Sequence, residues 1–132
     1  MSVVVDASVV VAALIDAGPD GAWAETQLVS GPLAAPHLMP VEVANILRRA
    51  SLAGDISPDV AAMAHADLLD LPAALFAYEP FAARVWELRD NLSTYDASYV
   101  ALAEALEVPL VTLDGRLRRA AGPRCTFATP QH

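Results

Sequence analysis

The run VVVDASVVV, residues 3–11, sets one carboxylate, Asp6, between Val3-Val4-Val5 and Val9-Val10-Val11. An ionised carboxylate among buried valines costs roughly several kcal/mol unless something compensates it. Val3 to Val5 are short, β-branched and apolar, the pattern of a buried strand. Ala7 to Asp16 then reads as a helix, which Gly18-Pro19 ends. Asp6 thus falls where a strand hands over to a helix. Ser8 is expected to cap that helix, which leaves the Asp6 carboxylate free for other work.

The same alternation continues outward from this junction. Ala22 to Val29 reads as a second helix and Leu33 to Ala35 as a short strand or connector. Pro40 suits the first turn of a helix running to about Ala53, with Gly54 as its stop. Ser57-Pro58-Asp59 opens a helix from Asp59 to Leu71, and Ala73 to Ala77 reads as a strand. Pro80 opens a helix to about Asp90. Ser93 or Thr94 caps the next, Tyr95 to Leu106. Pro109 to Leu113 reads as a strand, Arg116 to Ala121 as a short helix, and Cys125 to Ala128 as a last strand. Strands alternating with helices predict an α/β sandwich with a mostly parallel sheet, one domain over residues 1–132. In such sheets the binding edge lies beyond the carboxyl ends of the strands. Two strands finish there in an aspartate, VVVD at Asp6 and LVTLD at Asp114.

Composition removes several chemistries. All 8 basic residues are arginine, so a phosphate-binding loop with its lysine and a Schiff-base enzyme are both excluded. Cys125 is the single cysteine, which excludes a disulfide framework and a cysteine-rich zinc site. The net charge of −8 argues against non-specific electrostatic binding of nucleic acid. It leaves room for a nucleic-acid enzyme whose carboxylates hold cations. No segment approaches the roughly 20 apolar residues of a membrane span, and no basic region precedes the first apolar run. A reducing cytoplasm is the expected location, with no membrane partner.

Four acids recur at element boundaries, and each has an ordinary reading when taken alone. Asp6 suits a helix N-cap. Glu42 suits a first turn facing the helix dipole. Ser93-x-x-Asp96 resembles a capping box. Asp114-Gly115 is a turn signal. Yet two of the four share one sheet edge, and the other two sit in first turns of helices expected to pack on that sheet. Carboxylates converging in a cleft repel one another, and a divalent cation relieves the repulsion. Oxygen-only ligands suit Mg²⁺ or Mn²⁺, and such an ion can activate water against a phosphodiester.

The motifs VVVDASV, PVEVANILRR, YDASYVALAEAL and LVTLDGRL fall in that order over nearly the whole chain. Together they resemble the PIN-domain proteins of the VapC type, ribonuclease toxins of bacterial toxin–antitoxin pairs. The resemblance implies a three-layer α/β/α fold with a central parallel sheet, and Mg²⁺- or Mn²⁺-dependent cleavage of RNA. It implies a homodimer and a cognate VapB-type antitoxin in the acidic groove. By the family pattern Asp6, Glu42, Asp96 and Asp114 are the catalytic acids. Asp6 and Asp96 would bind the main metal, with Glu42 and Asp114 on a second ion or on waters of the first. Ser8, Asn45 and Thr112 match supporting polar positions. Arg116 stands where some members carry a further acid.

Arg48 and Arg49 follow Glu42, and Arg116, Arg118 and Arg119 follow Asp114. These five are candidates for contacts to RNA phosphates, with solvated helix ends as the alternative. Two other functions compete with the ribonuclease: an inactive PIN-like binding module, and a phosphatase using Asp6 as nucleophile. The second is disfavoured by Ser8 in place of a second aspartate and by the absence of lysine. His37, His65 and His132 lack ligand spacing and are assigned no catalytic part. Trp23, Trp86, Phe76 and Phe81 are assigned to core or interface, and Tyr95 and Tyr99 to core packing rather than base stacking.

Overall fold

In the computed structural model, which describes residues 2–131, the valine triplet forms the central strand β1 (Val3–Val5), buried throughout. α1 (Ala7–Ile15) follows at once and sinks Val9 and Val10 into the same core. α2 (Pro19–Val29) starts three residues earlier than expected. Gly18-Pro19 does not only stop one helix. Proline at the first helical position has its φ already set and no N–H to satisfy, so it also launches the next. β2 (Leu33–Pro36) is a true strand, buried at every position.

α3 (Met39–Leu52) buries Met39, Val43 and Leu47, the face that the spacing of Val43 and Leu47 predicts. α4 (Pro58–Asp70) is capped by Ser57, whose Oγ accepts from the Val60 N–H at 3.1 Å. β3 (Ala73–Phe76) is followed by a 3₁₀ turn, Glu79–Phe81, and then α5 (Ala82–Glu87). The single helix expected from Pro80 to Asp90 is therefore broken. Its last residues tighten into 3₁₀-type bonds, from Leu88 N–H to the Val85 carbonyl and from Asn91 N–H to the Leu88 carbonyl. α6 (Thr94–Leu106) buries seven consecutive residues, Ala97 to Ala103, so it lies enclosed. β4 (Leu110–Val111), α7 (Gly115–Arg119) and β5 (Phe127–Ala128) complete the chain. His132 lies outside the described residues.

The five strands run in the order β3-β2-β1-β4-β5, and every pairing is parallel. Among the described residues seven α-helices flank the sheet. The chain leaves β1 toward β2 and β3, then returns to the other side of β1 with β4. The order therefore reverses between β1 and β4, and parallel α/β sheets open a crevice at that point. Among the described residues no helix is long and apolar enough to cross a membrane.

Trp86, assigned to core or interface, is 63 % exposed, and the Arg89 guanidinium stacks 5.0 Å from its ring centroid. Its helix is too short to bury more than one residue, Val85. Away from the crevice, α5 is fastened to α6 by a bidentate pair. Arg84 Nε donates to Glu104 Oε1 at 2.7 Å and Nη2 to Oε2 at 3.1 Å. The Arg124 N–H adds a bond to Oε2 at 2.6 Å. Burial alone would raise the Glu104 pKa, but these bonds and the arginine charge outweigh it and hold the carboxyl below its ordinary range. A carboxyl lowered on folding stabilises above its ordinary pKa, and that stability is lost as pH falls through the lowered value. Arg84→Ala is expected to cost about 2 kcal/mol near neutrality. Urea unfolding should show the gap to wild type closing as pH is lowered to about 3.

Candidate active site

The crevice between β1 and β4 is where Asp6 stands, and its sequence neighbours explain the geometry. Extended backbone at Asp6 ends the strand, and its N–H still donates to the Val111 carbonyl at 3.0 Å. Its carboxylate is the N-cap of α1, with Oδ1 accepting the Ser8 N–H at a long 3.4 Å. The expected division of labour is thus reversed: Asp6, not Ser8, caps the helix. A serine one residue inside the helix has its hydroxyl beside the cap carboxylate, so it bonds that carboxylate instead. Ser8 Oγ donates to Asp6 Oδ2 at 3.2 Å and accepts the Leu113 N–H at 3.2 Å.

Thr112 supplies the matching link from the other strand. It is fully buried, its Oγ1 donates to Asp6 Oδ2 at 2.6 Å, and the Asp114 N–H donates back to that Oγ1 at 3.0 Å. Two hydroxyls therefore bridge the β1–α1 turn to the β4–α7 turn. This also explains why β4 is shorter than expected from Pro109 to Leu113. The N–H groups of Leu113 and Asp114 bond to side chains of the crevice rather than to a neighbouring strand.

The other acids arrive from three further elements. Glu42 lies in the first turn of α3 and Asp96 in the first turn of α6. Asp114 caps α7, its Oδ1 accepting the Arg116 N–H at 2.9 Å and the Leu117 N–H at 3.3 Å. Each local reading thus holds in part. The Ser93–Asp96 box is half-formed, with Ser93 Oγ accepting the Asp96 N–H at 3.1 Å. Yet the acids also feel one another. Asp6 is only 8 % exposed, and burial first, then the Asp114 charge, raises its pKa against the bonds from Thr112 and Ser8 that lower it. Glu42 is raised by burial and by the charges of Asp6 and Asp96, with the Tyr99 bond opposing. Asp96 is raised by burial and by Asp6 and Asp114, with Ser93 and Arg116 opposing.

Among the described residues no three histidine, cysteine or carboxylate side chains are grouped tightly enough to enclose a metal ion. The donor set nevertheless fits a hydrated Mg²⁺ or Mn²⁺. Mg²⁺ usually takes one or two carboxylates and keeps several waters. The Asp6 Oδ2 atom is occupied by two hydroxyl donors, while Oδ1 carries only the long bond from Ser8. Oδ1 is therefore the atom with lone pairs to offer, beside acids whose mutual repulsion a cation would relieve.

Tyr99 is the participant that local sequence reasoning missed. It is buried, as assigned, but its hydroxyl donates to Glu42 Oε1 at 2.7 Å across 57 residues. The legible signal was its place three residues after Asp96, on the same helix face. Burial and the adjacent Glu42 charge push its pKa well up, so it stays a donor. Tyr95 is 62 % exposed, not core. Tyr99→Phe should leave Glu42 unanchored and lower whatever activity the acid site supports about 10- to 100-fold, the scale seen when a supporting hydrogen-bond partner is removed from a functional site. Circular dichroism should show the fold retained.

The supporting and basic candidates divide. Ser8 and Thr112 join the carboxylate network, whereas Asn45 is exposed on α3, one turn beyond Glu42. Arg116 lies against the acids. Its Nε is 3.7 Å from Asp114 Oδ1, its charge lowers the Asp96 pKa, and it lines a polar cleft of about 210 Å³ with Asn91, Ser93, Asp96 and Asp114. Arg118 is exposed on the same short helix, and Arg119 folds back over Gly115. Arg49 is exposed, and Arg48 lines the groove between α3 and α4 with Ser51 and His65 rather than the acid crevice.

Comparison with known proteins agrees with this fold. The PIN domain family model matches residues 3–123. Ribonuclease VapC1 of Mycobacterium tuberculosis is 43 % identical over 126 residues, covering 92 % of each chain. The crystal structure of PAE2754 from Pyrobaculum aerophilum superposes with a TM-score of 0.73 at 24 % identity, covering 96 % of this chain and 83 % of that one. VapBC2 from Rickettsia felis, bound to a DNA fragment from its promoter, gives a TM-score of 0.68 at 13 % identity and covers 98 % of each chain. With the acids at the switch point of a parallel sheet and this similarity along nearly its whole length, the chain belongs to the PIN-domain family, among its VapC ribonucleases.

Proposed function

We propose that this protein is the toxin of a type II toxin–antitoxin pair and cleaves RNA with a divalent cation held at the β1–β4 crevice. The observation that carries the reading is Asp6. A buried carboxylate, fixed on one oxygen by Thr112 and Ser8, faces the charges of three further acids. Asp6 and Asp96 would hold Mg²⁺ or Mn²⁺. Glu42 and Asp114 would hold waters of that ion or a second ion. The bound cation supplies Lewis acidity toward a phosphodiester and lowers the pKa of water.

The chain's own groups supply the rest. Thr112 and Ser8 fix the rotation of the Asp6 carboxylate, and Tyr99 fixes that of Glu42. Glu42, whose Oε1 is held by Tyr99, would take a proton from the attacking water on its other carboxylate oxygen. Arg116, which lies beside the acids, would contact flanking phosphates, with Arg118, Arg119 and Arg49 as further candidates; such contacts position RNA without reading its sequence. The Rickettsia felis neighbour is a VapBC2 assembly. By analogy this chain would pair with a VapB-type antitoxin; that it acts as a homodimer in the cytoplasm is part of the same proposal.

Cleavage of single-stranded RNA is expected with Mg²⁺ or Mn²⁺ and not with EDTA, and readdition of the metal should restore it. Calorimetry should show Mn²⁺ binding to wild type. Cleavage undiminished in EDTA would overturn the metal assignment.

A further inference from the structure

Beside the acids, the same sheet edge carries a second concavity, of about 240 Å³, at the carboxyl ends of β2 and β3. Its wall is aromatic: Phe76 and Phe81 meet edge to face with ring centroids 6.3 Å apart. Its mouth is polar, with Tyr78 45 % exposed, and Glu79 and His37 also exposed. Ser98 reaches it from α6. The Ser98 hydroxyl donates to the Thr94 carbonyl at 2.7 Å, which spends its one proton and leaves oxygen lone pairs to accept. Two elements of this cavity also carry the acids. His37 leads into α3 and Glu42, and Ser98 lies two residues from Asp96.

We propose that this cavity receives one nucleobase of the RNA strand next to the scissile phosphate and favours a base with an exocyclic amino group. The inference rests on the ribonuclease reading above. Pockets for drug-sized ligands run about 300–1,000 Å³, so this smaller one suits a single ring system better than a peptide segment. Sequence-specific readers of single-stranded RNA stack splayed bases on aromatic side chains and bond their edges. Tyr78 stands at the mouth to stack, and the polar mouth suits a base edge. The acceptors decide the preference. The Glu79 carboxylate can only accept, and so can Ser98 once its proton is committed. Both favour the amino group of cytosine, adenine or guanine, whereas the O4 of uracil would meet a carboxylate oxygen to oxygen.

The test is cleavage of a randomised pool of oligoribonucleotides by wild type, Tyr78→Ala and Glu79→Gln, reading kcat/KM for each base at each position around the cut. Neither side chain belongs to the acid crevice, and both are exposed, so folding should be retained. Wild type is expected to disfavour uracil by about tenfold at one position on one side of the cut. Glu79→Gln should reduce that ratio to about twofold, because an amide can also donate to O4. Tyr78→Ala should lower kcat/KM on the favoured bases by about tenfold. Base profiles that overlay wild type in both variants overturn the proposal. So does an unchanged profile with sedimentation shifted toward monomer, which would assign the cavity to a second copy of this chain. A wild type that cleaves no member of the pool is a different failure, that of the ribonuclease reading itself.

Discussion

Asp6→Asn is expected to lower RNA cleavage by about 10³-fold without unfolding the protein. A cation on a transferring phosphate is worth several kcal/mol of transition-state stabilisation, and each 1.36 kcal/mol is about tenfold in rate. Asparagine keeps an oxygen to accept from Thr112 and Ser8 Oγ, so the bridge between the two strand ends survives, and it gives up only the long cap bond from the Ser8 N–H. It removes a charge that is buried at 8 % exposure and repelled by its neighbours. The variant should therefore melt no lower than wild type, and higher when metal is withheld, by up to about 1 kcal/mol. Asp96→Asn should behave alike. Single-turnover cleavage and thermal melts on the same samples separate the two quantities. Lost activity with an unchanged or raised melting temperature places the charge in function rather than in folding. Full activity of Asp6→Asn would remove Asp6 from the site.

Gly21→Ala is expected to be the most damaging alanine substitution among the glycines. Gly21 is buried in α2 where that helix turns back against α1. A Cβ there would overlap the backbone carbonyl of Asp16 and stand 3.0 Å from the Ala12 carbonyl oxygen. The obstacle is backbone, so no side-chain rotation relieves it. α2 must move away from α1, the helix it packs on. Overpacking of this kind costs about 3 kcal/mol or more, or a fall in melting temperature on the order of 10 °C in a domain of this size. Thermal unfolding followed by circular dichroism checks it. Alanine at Gly54 offers a contrast: its strain comes from φ +79° alone, with nothing within 4 Å of the added methyl.

Much of this architecture was legible in the chain because strand and helix signals are local. Val3 to Val5 could be read as a buried strand from branching and hydropathy, and Asp6 as its end from the helix that follows. Ambiguity arose where one residue serves two purposes. Gly18-Pro19 fits both the end of a helix and the first turn of the next, and only packing against α1 decides. β4 is shorter than its composition suggests because the N–H groups of Leu113 and Asp114 bond the hydroxyls of Thr112 and of Ser8, the latter 105 residues away, rather than a neighbouring strand. Such a partner leaves no trace in local spacing; likewise the spacing puts Tyr99 on the Asp96 face of its helix but does not show Glu42 opposite it, 57 residues away. The order of motifs brought the four acids into view. How far the arginines reach depends on helix phase: Arg48 and Arg49 are adjacent in sequence, yet a step of about 100° between successive residues turns the first toward α4.

The bridge from Thr112 to Asp6 also has a temporal side. The first acid is made at the start of synthesis, and the hydroxyl that fixes it near the end. β1 cannot gain its neighbour β4 until residues 110–111 have left the ribosome. The parallel return also makes every inter-strand contact a non-local one, which slows folding. A chain interrupted before Thr112 would hold Asp6, Glu42 and Asp96 but lack the strand and the hydroxyl that orient Asp6. Truncated products would then be inert, and a ribosome making this enzyme would be shielded from it until translation was nearly complete.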